Sequence, residues 1–148
     1  MALFLSTDLK NRILGGITDR LAGTCGTAGT ATLSIYDGAQ PANADAGTGV
    51  SNLLCQIVGI GWGSAGLGAT AGTANLANTA GYTGTCIMTG LAGWGRLQSV
   101  GVGYNGSAAT FRIDGDVGTS ATSVFVINSV SFTSAGLITL LAAPILLP

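Results

Sequence analysis

From position 24 onward, the chain consists of short runs rich in Val, Ile, Thr and aromatic residues, which Gly, Asn, Asp and Pro separate. The first group is enriched in β-strands and the second in turns. Seven strands are predicted, at 31–36, 53–60, 85–89, 94–102, 110–117, 123–131 and 137–141. Because many short strands with frequent turns are typical of two-layer β folds, we predict a mainly all-β domain at 24–136, an antiparallel β-sandwich or a jelly-roll-like domain.

The segment 123–132 has a strongly strand-like pattern. It begins as a continuous apolar run at 124–127 and ends in alternation of polar and apolar residues. That pattern is expected of a strand that is buried on both faces and then emerges toward one. We therefore expect this segment to lie at the centre of the sheet.

The two ends of the chain differ from this β pattern. Behind capping residues at 6–8, apolar residues recur at helical spacing until the glycines at 15–16, which predicts a short helix in an N-terminal arm at 1–23. The apolar segment 137–148 is too short to span a bilayer, so we interpret it as a C-terminal arm that docks on a partner. The expected interface residues are Leu5, Leu9, Ile13, Leu140, Leu141, Ile145, Leu146 and Leu147.

The composition favours a protein that works in an assembly. Only 7% of the residues are charged, against about 25% in a typical soluble domain, and 46–95 carries no charge at all. A domain with so little charge repulsion and so much apolar surface tends to associate. The alternative is a monomer that Thr, Ser, Asn and Gly keep in solution, and the two hypotheses differ in oligomeric state.

Catalytic chemistry has few candidates in this chain, which contains neither His nor Glu. The closest carboxylates, Asp114 and Asp116, alternate with Gly115 and are expected on one strand face together with Arg112. They suggest an oxygen-ligand metal site, or else solvent-facing residues at a strand end, with Gly115 in a bulge or turn and Arg112 balancing Asp114. We favour the second interpretation, because calcium takes six or more oxygens. We therefore expect no enzyme activity, no metal and no cofactor.

The remaining composition argues against several other classes of protein. Five basic residues without a cluster do not make a nucleic-acid surface, and the start of the chain resembles neither a signal peptide nor a membrane anchor. Cys25, Cys55 and Cys86 are widely spaced and without His partners, so they are interpreted as buried free thiols of a protein made in a reducing cytosol.

Two tryptophans complete the set of candidate residues. Trp62 and Trp94 each stand between two glycines, which predicts large rings packed as core anchors. An exposed pair would instead suggest a surface for carbohydrate or a partner protein, because aromatic residues are favoured at the centres of interfaces. Exposure distinguishes the two interpretations.

Three segments together resemble a group of small virion proteins of tailed bacteriophages: 5–16 (LSTDLKNRILGG), 33–46 (LSIYDGAQPANADA) and 89–97 (TGLAGWGRL). The resemblance implies a non-enzymatic capsid or tail component, most similar to a cement or decoration protein that binds between the capsomers of an icosahedral head. The segment 137–148 departs from the group, because it is longer and more apolar than expected.

The resemblance also implies partners and a location. The partners would be the major capsid protein and copies of the chain itself in a homo-oligomer, with no direct contact to nucleic acid or membrane. The protein would be made in the host cytoplasm and located in the virion. The alternative is a tail, baseplate or fibre component with a receptor-binding role for Trp62, Trp94 or the turn at Asp114 and Asp116.

Overall fold

A computed structural model describes residues 31–61, 73–74, 80–102, 108–143 and 145–146. The predicted N-terminal helix with Leu5, Leu9 and Ile13 lies outside these residues, as do Cys25, Trp62 and Leu147.

Within the described ranges the regular structure is entirely β. The enrichment of these segments in Val, Ile, Thr and aromatic residues explains this, because such side chains favour strands. The strands are β1 (Ala31–Tyr36), β2 (Leu53–Ile60), β3 (Thr73–Ala74), β4 (Tyr82–Thr85), β5 (Gly90–Leu91), β6 (Trp94–Val102), β7 (Ala108–Gly118), β8 (Phe125–Ile127), β9 (Ser131–Phe132), β10 (Leu137–Ala142) and β11 (Ile145–Leu146).

Seven strands form one sheet in the order β2-β1-β6-β7-β8-β10-β4, antiparallel except for the β7–β8 pair. Its two edge strands lie beside each other, because Cys55 of β2 and Cys86 form an isolated antiparallel bridge and Ile87 N donates to Leu54 O at 2.7 Å. The sheet is therefore nearly closed. Two small two-stranded sheets, β3–β11 and β5–β9, lie outside it.

The hydrophobic core lies inside this nearly closed sheet. The approach of β4 to β2 is so close that a Cβ on Gly84 would collide with the backbone oxygen of Gln56, so glycine is required there. The largest core side chains with almost no solvent exposure are Phe125, Phe132, Leu33, Ile35, Leu54, Ile57, Ile60 and Leu97.

The all-β prediction is confirmed, and β1, β2 and β6 begin and end where the sequence predicted. The prediction at 123–131 is only partly right, because β8 covers three residues and β9 starts at Ser131. Between them the side chain of Asn128 accepts a bond from Thr139 N at 2.9 Å, which draws the chain out of a continuous strand. The prediction at 85–89 is mostly wrong, because β4 ends at Thr85.

The C-terminal segment also needs a correction. Leu137–Ala142 is a strand as predicted, but it is paired between β8 and β4 and is not a free arm. Leu140 is fully buried in the core, whereas its neighbour Leu141 is half exposed. Leu140 is therefore not an exposed interface residue. Leu140 and Leu141 could not be told apart from the sequence, because apolar residues lie on both sides of this strand. The pattern alone does not show which side faces the core.

Candidate functional site

The charged groups of the described residues are confined to β6, β7 and the loop 37–52, and β2, β4, β8 and β10 contain none. Two surfaces of the sheet therefore differ in kind. We call the outer side of β1, β6 and β7 the charged face. The apolar face is the outer side of β4 and β10 with the turn after β4, and its large side chains are Ile87, Met88, Leu137 and Leu141.

A bidentate ion pair forms the centre of the charged face. Arg96 and Asp114 stand opposite each other in the β6–β7 register, with Nε donating to Oδ1 at 2.8 Å and Nη2 donating to Oδ2 at 2.7 Å. Their side chains are only 6% and 3% exposed. The hydrogen bonds to Asp114 raise the pKa of Arg96. The expected pairing of Arg112 with Asp114 is wrong, because a directly opposite residue is closer than one two positions along the same strand.

Two aromatic rings pack next to this pair. Tyr36 and Trp94 are cross-strand partners whose rings stack with centroids 4.6 Å apart and planes inclined by 16°. The Arg96 guanidinium carbon lies 5.4 Å from the Trp94 ring centroid, within reach of a cation–π interaction. Trp94 is only 1% exposed, which confirms its predicted burial and excludes its ring as an exposed ligand platform. It is not the predicted core anchor, because it packs on the charged face and does not belong to the hydrophobic core cluster.

The loop 37–52 covers this aromatic cluster. Ser51 Oγ accepts a long hydrogen bond of 3.4 Å from Trp94 Nε1. The two ends of the loop are tied together, because Asp37 Oδ1 accepts from Asn52 N at 2.6 Å and Asp37 Oδ2 accepts from Asn52 Nδ2 at 2.8 Å. The side-chain bond from Asn52, followed by the backbone bond, lowers the pKa of Asp37.

An open cleft of about 690 Å³ lies between this loop and the turn that precedes β6. Two exposed apolar side chains, Val50 and Leu91, belong to its lining. Gly93 donates to Tyr36 O at 2.8 Å, and a Cβ on Gly93 would collide with Gly38 O, so the loop and the turn are in direct backbone contact. The lining residues are Asp37, Gly38, Ala39, Pro41, Gly47, Thr48, Gly49, Val50, Ser51, Asn52, Leu91, Ala92 and Gly93.

Both aspartates on β7 are engaged by groups of the protein itself. Asp114 is engaged by Arg96, and Asp116 is exposed and accepts a bond from Val124 N at 3.0 Å. Gly115 is neither in a turn nor in a bulge, because it pairs with Gly95 inside a regular ladder. In the described ranges, no three His, Cys, Asp or Glu residues are grouped closely enough to hold a metal ion.

The apolar face combines leucine, isoleucine and threonine side chains. Leu137 is 68% exposed and lies opposite Thr85, while Thr139 lies opposite Thr83 in the next outward row. Ile87, two positions after Thr85, is 53% exposed. Sequence reasoning named Leu141 but missed Ile87 and Leu137 as surface residues, because their exposure depends on which side of β4 and β10 faces the core.

The remaining predicted residues are placed as follows. Ile145 and Leu146 form β11, which pairs with β3 through Ala74 and Thr73. Cys55 and Cys86 are free and buried, as predicted. Burial, followed by the nearby thiol of Cys86, raises the pKa of Cys55 to about 12.

No family model, curated protein sequence or solved structure matches this chain.

The part of the chain that the structure describes has no helix with the length and apolar character needed to cross a membrane.

Proposed function

We propose that the chain is a non-enzymatic structural subunit of a tailed-phage virion, a cement or decoration protein that stabilises contacts between capsomers. Its partners are the major capsid protein and further copies of itself. The observation that carries the proposal is the apolar face, which places large hydrophobic side chains in solvent and has no charged group among its described residues. The three sequence segments that resemble phage virion proteins supply the particular kind of assembly.

The apolar face has the composition of an interface core. Such cores are depleted in charged residues and are more apolar than ordinary protein surface. Burial of an exposed Leu or Ile side chain contributes about 1.5–3 kcal/mol, so the half-exposed or more exposed Ile87, Leu137 and Leu141 together offer a few kcal/mol to a partner. An exposed cluster of this kind marks a site of association.

The nearly closed sheet favours association through side chains rather than through added strands. An open edge strand presents unpaired N–H and C=O groups to other chains, but here the two edges meet at Cys55 and Cys86. A subunit that binds only the assembled shell stabilises that shell by mass action.

The proposal also includes contacts made by apolar residues near the two ends of the chain. Leu5, Leu9 and Ile13, together with Ile145, Leu146 and Leu147, would add contacts to the capsid lattice. The antiparallel sandwich or jelly-roll arrangement, synthesis in the host cytoplasm, and the lack of direct nucleic-acid and membrane contacts belong to the same proposal.

One observation favours a second candidate function, that of a tail, baseplate or fibre component that binds a receptor. The cleft of about 690 Å³ beside the loop 37–52 is open and is rimmed by Val50 and Leu91. Clefts of this size, apolar with a few placed polar groups, are typical binding sites for small ligands or short segments. We rank this function second, because Trp94 lies beneath the loop and not in the opening.

Copy number separates the two functions. The measurement is quantitative mass spectrometry of phage particles purified from cells that produce this chain, with the major shell protein as the reference. A ratio near one or one-half places the chain across the capsid lattice and supports the cement function. A few copies per particle would contradict it and support the tail function, whereas absence of the chain from the particle would contradict both.

A further inference from the structure

Cys55 and Cys86 face each other where the edges of the sheet meet. Ile87 N donates to Leu54 O at 2.7 Å, so the hydrogen bond between the strands lies beside the cysteine pair and not within it. Cys86 N donates in the opposite direction, to Gly136 O at 2.8 Å. In an antiparallel ladder this arrangement identifies a non-hydrogen-bonded pair, in which the Cα atoms are about 4.5 Å apart and the side chains are at their closest.

That geometry is compatible with a disulfide. Disulfides span Cα separations of roughly 4.4–6.8 Å, and the separation expected for this pair falls within the range. Both residues are buried, at 0% and 3% exposure, and both belong to the hydrophobic core cluster. The backbone pairing therefore holds the two cysteines directly opposite each other, at a separation that a disulfide spans without rearrangement of the strands.

We propose that Cys55 and Cys86 form a disulfide that locks the nearly closed sheet when the protein meets an oxidising environment. The bond would connect edge strand β2 to the residue that directly follows edge strand β4, at the bridge where the two edges meet. This inference concerns the sheet itself and does not depend on the proposed virion function.

The oxidant is a small-molecule disulfide such as oxidised glutathione, and the reaction is thiol–disulfide exchange. One cysteine loses its proton, and its thiolate attacks a sulfur of the small disulfide, whose S–S bond breaks and releases one small thiolate. The second cysteine, also deprotonated, attacks the protein sulfur of the mixed disulfide and releases the second small thiolate. The two cysteines are oxidised, the small disulfide is reduced, and the two protons end on the two released thiols.

The burial of the pair controls when this reaction occurs. Thiolates are the reacting species, and both thiols are shielded from solvent in the closed sheet. Exchange therefore requires the contact between β2 and the residues after β4 to open locally, which is less demanding than global unfolding. We expect slow oxidation of the folded protein and faster oxidation during folding or in mild denaturant.

The test uses the full chain with Cys25→Ser, so that only the proposed pair remains. The protein is equilibrated in mixtures of reduced and oxidised glutathione, with and without a cycle of unfolding and refolding, and then analysed by intact mass, peptide mapping and thermal unfolding. We expect a mass lower by two hydrogen atoms, a peptide that links Cys55 to Cys86, and a Tm that rises on the order of 10 °C for this loop length.

The same sample supplies its own control, because added dithiothreitol should restore the mass and the lower Tm without any further substitution. The inference is overturned if both thiols remain free after refolding in oxidising buffer, if the disulfide joins two chains, or if the bond forms and Tm does not rise. Comparison of redox states of one chain avoids reliance on serine variants at buried positions, which could fail to fold.

Discussion

The charged face and the apolar face of the sheet differ in which side chains they leave exposed to solvent. On the charged face, Arg96, Asp114 and Trp94 are almost fully covered, and their polar atoms have partners within the same chain. On the apolar face, Leu137 and Leu141 are exposed, and the strands that the structure describes there, β4 and β10, contain no charged residue. Soluble domains more often expose their charges and cover their apolar groups. The polar groups at the centre of the charged face are thus paired within one chain, whereas the large side chains of the apolar face lie in solvent and form the surface that the proposed association would cover.

The largest effect is expected from breaking the covered ion pair. Asp114→Ala leaves the Arg96 guanidinium buried without a counterion, which should lower the free energy of unfolding by about 3–5 kcal/mol. Arg112→Ala, at an exposed position on the same face of β7, should change it by no more than about 0.5 kcal/mol. Urea denaturation of both variants makes the comparison, and equal losses would contradict a pair completed within the chain.

The adjacent leucines of β10 provide a sharp test of which side faces the core. Leu140→Ala removes a fully buried side chain and should cost about 2–5 kcal/mol. Leu141→Ala, one position along and half exposed, should cost about 0.5 kcal/mol or less. Thermal and urea unfolding measure both. A free C-terminal arm would instead make the two losses equally small.

A smaller effect is expected from lifting the loop 37–52 off the aromatic cluster. Gly93→Ala places a methyl group against Gly38 O and should cost about 1–3 kcal/mol through overpacking. In a Trp62→Phe background, Trp94 fluorescence should shift to the red and become more accessible to acrylamide. Gly47→Ala is the matched control, because its added Cβ meets no atom within 4 Å. Unchanged Trp94 fluorescence in Gly93→Ala would show that the loop is not its cover.

The smallest effect concerns pH. The bonds from Asn52 lower the pKa of Asp37 in the folded state below its ordinary value of 3.8. The stabilisation from Asp37 is therefore complete above the unfolded-state pKa and is lost as the pH falls through the folded-state pKa. Asp37→Asn should be less stable than the parent chain at neutral pH, and the difference should shrink in acid. A difference that stays constant from pH 7 down to about pH 2 would contradict this role.

The sequence predicted the strands best where local signals agreed. The runs that became β1, β2 and β6 are rich in strand-forming residues and are bounded by turn residues, so their limits followed from local preferences. The prediction of one continuous strand at 123–131 was only partly right, because the Asn128 side chain accepts a hydrogen bond from the backbone N–H of Thr139, eleven residues away. A contact of that kind depends on the tertiary fold and leaves no local pattern.

The site was less predictable than the fold. The choice of Arg96 rather than Arg112 as the partner of Asp114 depends on the register of β6 against β7, which no single strand reveals. The meeting of Cys55 with Cys86 depends on the closure of the sheet, thirty-one positions apart in the chain. The sequence did indicate that charged residues are scarce. Among the described residues, the strands of the apolar face, β4 and β10, contain none.

The most direct test of the central claim, that the apolar face drives association, is sedimentation velocity of the purified chain over a range of concentrations. The double variant Leu137→Asp, Leu141→Asp adds two charges to that face, while Thr119→Asp, Ala121→Asp adds the same charge at exposed positions of the turn after β7. We predict concentration-dependent association of the parent chain and the turn variant, and a monomer at all concentrations for the apolar-face variant. A monomeric parent chain, or an apolar-face variant that associates like the parent, would contradict the account.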